Sequence, residues 1–247
     1  MNLRDRAEKI FEEAYRTARS ISDSYSKAKI LKDIACDMAR AGFYDKALEV
    51  ARSIERSWWR SWATREIALE MARAGLFDKA LETAKSIEKA WFRALALKDI
   101  AYELARAGLD AGEVFNEALK AAEEVEEPGY RDGAKRIVAQ GMAKVGMFRE
   151  ALLVARSIGD FWWRAWALKD VACEIARAGF FEEALKATKD ITDEKRRDEA
   201  LRNIAEEMAK VGFFDKALET AKKVKDERRR AEALKGIASE MIKIGKM

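Results

Sequence analysis

Seven tryptophans are the most conspicuous side chains of this sequence, and they fall in three clusters. These are Trp58, Trp59 and Trp62, then Trp91, then Trp162, Trp163 and Trp166. A lysine or arginine follows each cluster in helical phase: Arg65, Lys98 and Lys169. Tryptophan beside arginine or lysine does the chemistry of recognition. Trp and Arg are common anchors of protein interfaces, and the same pair stacks bases and holds phosphates of single-stranded nucleic acid. Catalysis has little to work with. Histidine is absent, which removes the usual general base and the commonest metal ligand. There is no nucleophile–base pair, metal-ligand spacing or phosphate-binding glycine loop. Gly108 to Gly112 follows a helical pattern rather than a strand. No catalytic residue, metal or cofactor is expected.

A repeat positions these residues. Glycines recur at Gly42, Gly75, Gly108, Gly146, Gly179, Gly212 and Gly245, at intervals of 33 residues with one of 38. A fixed period in this range marks a solenoid. Before Gly75, the residues Ile67, Ala68, Met71, Ala72 and Ala74 lie on one helical stripe. After it, Phe77, Ala80, Leu81, Ala84 and Ile87 lie on another. Each unit is therefore a helix A, a glycine turn where the backbone turns left-handed, and a helix B. Small-beside-large columns confirm the register: Ala35 to Ala238 stand seven residues before the glycines, and Ile34 to Ile237 one residue earlier. The segment from Leu3 to about Ile21 reads as a lone helix B and the last helix as a lone helix A. The expectation is all-α, with about fourteen antiparallel helices in one helical-repeat domain spanning 1–247. The 38-residue interval holds a five-residue insertion near 109–115. There Asp110 reads as an N-cap with Glu113 three residues on, and helix B should lengthen, ending near Glu127-Pro128-Gly129. It reads as a local bend, not a domain boundary.

Gly75 followed by Ala80-Leu81, with Ala68 seven residues before the glycine, resembles the tetratricopeptide repeat. Gly42, Gly146, Gly179 and Gly212 repeat the match, which covers nearly the whole chain. The departures are the 33-residue period in place of 34, Ala84 where that family has a large aromatic, Met71 where it favours tyrosine, and no proline closing each unit. The chain is similar to divergent repeat proteins of hyperthermophilic archaea. The resemblance implies a right-handed superhelix whose inner wall is made by the A helices, and it implies binding of a partner.

Composition narrows the partner. The chain has 48 basic and 44 acidic residues, a net charge of +4, too mild to imply nucleic acid by itself. One glutamine and three asparagines among abundant Lys, Arg and Glu fit a hyperthermophile. The expected unfolding midpoint lies above the mesophile range of roughly 45–65 °C. Cys36 and Cys173 lie four repeats apart and suggest neither disulfide nor metal site, so a reducing cytoplasm fits. The N-terminus lacks the apolar run of a signal peptide, and no 18-residue apolar stretch suggests a membrane span.

Three basic columns run through the units. Lys32, Arg65, Lys98, Arg136, Lys169, Arg202 and Lys235 lie mid-helix. The resemblance places them on the inner wall, where they either contact a ligand or serve structure. Asp33, Glu66, Asp99 and Asp170 follow them directly, and sequence neighbours on a helix are not expected to face each other. Arg40, Arg73, Arg106, Lys144, Arg177, Lys210 and Lys243 end the A helices, where the dipole favours them, and Glu70, Glu103, Glu174, Glu207 and Glu240 stand three residues ahead as helical partners. Lys27, Arg60, Arg93, Arg131, Arg164, Arg197 and Arg230 open the A helices, where the dipole disfavours cations. A salt bridge to the neighbouring repeat is the first explanation and an anion-facing ladder the second.

Trp59, Phe92, Tyr130 and Trp163 share the phase of the core stripe. Trp58 and Trp62 share the phase of Arg65, and so do Trp91, Leu95 and Tyr102 that of Lys98, and Trp162 and Trp166 that of Lys169. In the fourth unit these positions hold Gly129 and Gly133, ahead of Arg136, which would leave a notch flanked by Trp91 and Leu95 on one side and by Trp162 and Trp166 on the other. A pocket or simply close helix approach would explain the two glycines. The expected role is a non-enzymatic scaffold that binds a protein or peptide segment on these residues. The alternative is single-stranded nucleic acid (RNA) on the same surface, and self-association could also bury the row.

Overall fold

The computed structural model describes residues 2–245. Among them there are fourteen helices and no strand. The A helices are α2 (Ser24–Arg40), α4 (Ser57–Arg73), α6 (Ala90–Arg106), α8 (Pro128–Lys144), α10 (Phe161–Arg177), α12 (Glu194–Lys210) and α14 (Glu227–Ile244). The B helices are shorter: α3 (Tyr44–Arg52), α5 (Phe77–Lys85), α7 (Gly112–Glu123), α9 (Phe148–Arg156), α11 (Phe181–Thr188) and α13 (Phe214–Lys222). The opening helix, α1 (Leu3–Arg19), runs without a break through Lys9, where the other units have glycine.

Each A helix ends because the chain reverses at a left-handed glycine. Gly75 has φ +78°, and the other five A–B glycines lie between +76° and +87°. The Gly75 N–H donates to the Ala72 carbonyl and the Leu76 N–H to the Met71 carbonyl, both at 2.9 Å. This is a Schellman closure that satisfies the last carbonyls of α4. A methyl on Gly75 would meet nothing within 4 Å, so the penalty for a side chain there is conformational. Gly75→Ala is expected to cost about 1–2 kcal/mol, read as a lower urea midpoint at unchanged slope.

The helices group into two compact units, residues 1–127 and 128–247. In the first, α2, α4 and α6 pack side by side, and α3 and α5 each pack between successive A helices, so that adjacent helices stack as in a solenoid. In the second, α8, α10, α12 and α14 form the row, backed by α9, α11 and α13. The Ile–Ala columns are the glue. Ile67, Ala68, Ile100 and Ala101 are fully buried in the first unit, and Val138, Ala139, Ile204 and Ala205 in the second. Alanine lets the helix axes approach, and the branched neighbour fills the groove.

The insertion does lengthen helix B: α7 has 12 residues where α5 has 9. Its cap differs from the expectation. Ala111 is the N-cap, and Asp110 Oδ1 accepts from the Gly112 N–H at 2.9 Å, two residues on, as a local Asx-type turn. α7 also stops at Glu123, short of Glu127. Pro128 opens α8 instead, a position where its missing N–H costs nothing.

Candidate functional site

In the first unit, Trp58, Trp62 and Arg65 project from α4, and Trp91, Leu95, Lys98 and Tyr102 lie on α6. Trp58 is 48% exposed, whereas Trp62, Trp91, Leu95 and Tyr102 are half-buried. The aromatic rings pack on one another. Trp62 stacks on Trp59 with centroids 5.5 Å apart, and Trp58 meets Phe92 edge-on at 4.7 Å. Lys32 of α2 sits 5.0 Å from the centre of the Trp62 ring, a cation–π contact. Leu69, in the same phase, is buried and closes the wall below.

In the second unit, Gly129, Gly133 and Arg136 lie on α8, and Trp162, Trp166 and Lys169 on α10. Trp162 is 48% exposed; Trp166 and Trp163 are half-buried, Gly133 is buried and Gly129 is exposed. Three cations surround the Trp166 indole: Lys169 at 4.8 Å, Arg136 at 5.1 Å and Arg196 of α12 at 3.6 Å from the ring centre. Trp162 packs edge-on against it at 5.6 Å. The glycines and the two tryptophans thus belong to one unit, while Trp91 and Leu95 belong to the other.

The core phase holds for Phe92, which is buried, and in part for Trp59 and Trp163. Tyr130 departs from it: the ring is 54% exposed at the opening turn of α8. Phe92 holds the same third position of its helix and is buried against Trp58 and Trp62 of the preceding A helix, so phase and distance from the helix start do not by themselves bury this position.

The mid-helix cations from Lys32 to Arg202 are paired; Lys235 is exposed and makes no ion pair with a described residue. Arg65 donates to Glu66 and to Asp99 of the next A helix, both at 2.6 Å, and Lys98 also bonds Asp99. Arg136 and Lys169 converge on Asp170, each at 2.6 Å, and Arg202 reaches Glu232 at 2.8 Å. The expectation that sequence neighbours do not meet is therefore corrected. Lys32–Asp33, Arg65–Glu66, Lys98–Asp99 and Lys169–Asp170 are ion pairs between adjacent residues. Consecutive side chains diverge around a helix, but a long cationic stem can bend back to a neighbour's carboxylate. The result is a ladder in which a carboxylate of one A helix serves the cation beside it and the cation of the preceding A helix.

The column that opens the A helices has a different explanation from the dipole of its own helix. Arg60 donates to the Ile54 and Glu55 carbonyls at 2.6 and 3.1 Å, Arg93 to Ile87, Arg164 to Ile158 and Gly159, and Arg230 to Val224. These carbonyls end the preceding B helix or its linker, where a cation is favourable. The expected bridges to the neighbouring repeat also form. The Arg60 guanidinium donates to both carboxylate oxygens of Glu88, holding that carboxyl below its usual range, and Arg93 bonds Glu124. The helix-ending column pairs as expected, for example Arg73 with Glu70 at 2.8 Å and Arg177 with Glu174 at 2.7 Å.

Residues that sequence reasoning missed are Lys32 and Arg196 over the tryptophans, and Asp99 and Asp170 as shared acceptors. The 34-residue offset from Arg65 to Asp99 and from Arg136 to Asp170 was the available signal. Cys36 and Cys173 are free and buried. Burial pushes the Cys36 thiol up to about 11 and raises that of Cys173, so both are protonated at neutral pH and poorly nucleophilic. Among the described residues no group of three or more Cys, Asp or Glu is placed to hold a metal ion, and no helix is long and apolar enough to cross a membrane.

No family model and no curated protein matches the chain. Among solved structures it is similar to Ton1535 from Thermococcus onnurineus NA1, with 18% identity over 94% of this chain and 96% of that one and a TM-score of 0.27. It is also similar to PH0952 from Pyrococcus horikoshii, a signal transduction ATPase with numerous domains and a tetratricopeptide repeat sensor. There the identity is 19% and the TM-score 0.39, over 96% of this chain and 43% of that one, so the chain spans less than half of that protein.

Proposed function

We propose that the chain is a non-enzymatic helical-repeat scaffold that captures a protein or peptide segment on the faces of its A helices. Trp58 and Trp162 are the exposed anchors. Trp62, Trp91, Leu95, Tyr102 and Trp166 provide the half-buried surface beside them, and Arg65, Lys98, Arg136 and Lys169 frame it. The observation that carries this reading is the ion-pair ladder. The cations next to the tryptophans are already paired: Arg65 and Lys98 share Asp99, Arg136 and Lys169 share Asp170, and Arg65 also bonds Glu66. A wall of aromatic rings set in matched charges offers hot spots to a polypeptide and few free cations to a phosphate backbone. Two buried free thiols fit a reducing compartment such as the cytoplasm.

Fluorescence anisotropy with labelled single-stranded RNA at two salt concentrations separates this from nucleic-acid binding. The expected result is no saturable binding even at about 50 mM salt, where phosphate contacts are strongest. Binding that weakens steeply as salt rises would replace the peptide reading with the nucleic-acid one.

A further inference from the structure

In the second unit an aspartate of the preceding A helix caps two of the three linkers that lead into A helices; the third has Ala165 at that position. Asp198, on α12, is buried, and its Oδ2 accepts from the Lys225 and Asp226 N–H groups at 3.1 and 2.8 Å. Asp132, on α8, does the same for the Asp160 N–H at 2.9 Å. Those linkers also carry their own caps, since the Asp160 and Asp226 side chains accept from the first turns of α10 and α14.

The matching position in α4 is Ser61, and the matching linker is Glu88-Lys89. Ser61 is 2% exposed, and its Oγ accepts from the Lys89 N–H at 3.4 Å, a marginal distance. The Ser61 hydroxyl proton has no acceptor, and the Glu88 N–H no partner, among the described residues. The N-cap of α6 is Lys89, which makes no side-chain cap. Serine is shorter than aspartate, and beside it a cavity of about 450 Å³ opens between α3, α4 and α5, within the size range of small-ligand sites. Leu48, Met71 and Ile87 supply its apolar surface, and Ser61, Thr64, Thr83 and Ser86 its hydroxyls.

The rim is open for a related reason. Lys46 bonds Glu12 of the preceding B-type helix, and Lys216 bonds Glu182 at 3.0 Å. The equivalent of these acceptors for Lys79 is Asp45, one methylene shorter, and no pair forms. Asp45, Arg52, Lys79 and Glu82 all line the cavity, and none makes an ion pair with a described residue. Glu88 also lines it, but its carboxylate is held by Arg60.

We infer that this cavity binds a small zwitterion of the α-amino acid type, whose carboxylate takes the place that Asp198 occupies in the other unit. The carboxylate accepts from the Glu88 and Lys89 N–H groups and the Ser61 hydroxyl. The ammonium meets the unpaired rim carboxylates Asp45 and Glu82, and an aliphatic side chain lies on Leu48, Met71 and Ile87. The site is on the B-helix side and does not depend on the proposed capture of a peptide.

The test is a calorimetric titration of the full chain with L-leucine, L-leucinamide and inorganic phosphate, with backbone amide shifts followed by NMR. Leucine should bind and move the Glu88 and Lys89 amides most. Leucinamide, which lacks the carboxylate, and phosphate should bind at least about tenfold more weakly. Ser61→Ala should weaken leucine roughly threefold to tenfold, the loss of one hydrogen bond. Ser61→Asp, which copies Asp198, should abolish binding and raise the unfolding midpoint. The inference is overturned if leucine does not bind at millimolar concentration, if leucinamide or phosphate binds as well, or if the shifted amides lie elsewhere. It is also overturned if Ser61→Asp, shown folded by circular dichroism, still binds. Should that variant not fold, unchanged affinity in Ser61→Ala overturns it.

Discussion

Phe115→Ala is expected to destabilise the first unit by about 3–5 kcal/mol, the range for truncating a fully buried phenylalanine. Phe115 belongs to the aromatic column that follows each repeat glycine: Tyr44, Phe77, Phe148, Phe181 and Phe214 are its equivalents. The five inserted residues set Phe115 apart. They lengthen α7, bury its N-cap Ala111 and place Phe115 on its buried side, so that among the described residues Phe115 is the largest side chain with no exposure. Its neighbours on that side, Ala118, Ala121 and Ala122, are too small to close over the void. A urea titration of the variant should show the lost stability as a lower midpoint. A change under about 1 kcal/mol would mean that the insertion is a surface loop and not part of the core.

Asp170→Ala should have the largest effect on the candidate site. The Asp170 side chain is 7% exposed and accepts from both Arg136 and Lys169. Removing it leaves two part-buried cations against one indole. Breaking a buried pair costs about 3–5 kcal/mol, and because Arg136 keeps a quarter of its side chain in water the expected loss is nearer 2–3 kcal/mol. The same change uncovers positive charge. Arg136, Lys169 and Arg196 around Trp166 would then face one paired carboxylate, Glu199, instead of two. The variant should bind single-stranded RNA at low salt where the wild type does not, and lose it as salt rises. Equal behaviour of variant and wild type would show that Asp170 is not what keeps this face neutral.

The repeat was legible because it is local and recurs. Gly75 with Leu76, and Ile67 with Ala68, carry their structural meaning within one or two turns of chain, and the same meaning recurs in unit after unit. The tryptophans were legible as a cluster for the same reason. The ladder was not, because its acceptors lie in the next unit. Asp99 reads as an ordinary exposed acid until α6 is laid beside α4. Arg60 looked misplaced at the start of α4 because its true partners are the Ile54 and Glu55 carbonyls behind it. Tyr130 shows the limit of phase alone: it matches Phe92 in register and in distance from the helix start, yet Phe92 is buried against Trp58 and Trp62 of the preceding A helix and Tyr130 is exposed. Ser61 was silent for a similar reason. Its meaning appears only against Asp198 and Asp132, which hold the same place in other units and do the work that Ser61 leaves undone.

The central claim is that exposed tryptophans on a charge-matched wall anchor a polypeptide. Panning a random peptide library on the wild-type chain, followed by calorimetry of the enriched peptides on wild type and on Trp58→Ala/Trp162→Ala, tests it most directly. Both side chains are half in water, so the double variant should keep its helical signal and unfolding midpoint. Its affinity should fall by at least about tenfold, as for loss of interface hot spots, with little dependence on salt. Enriched peptides that bind the folded double variant as tightly as the wild type would contradict the claim.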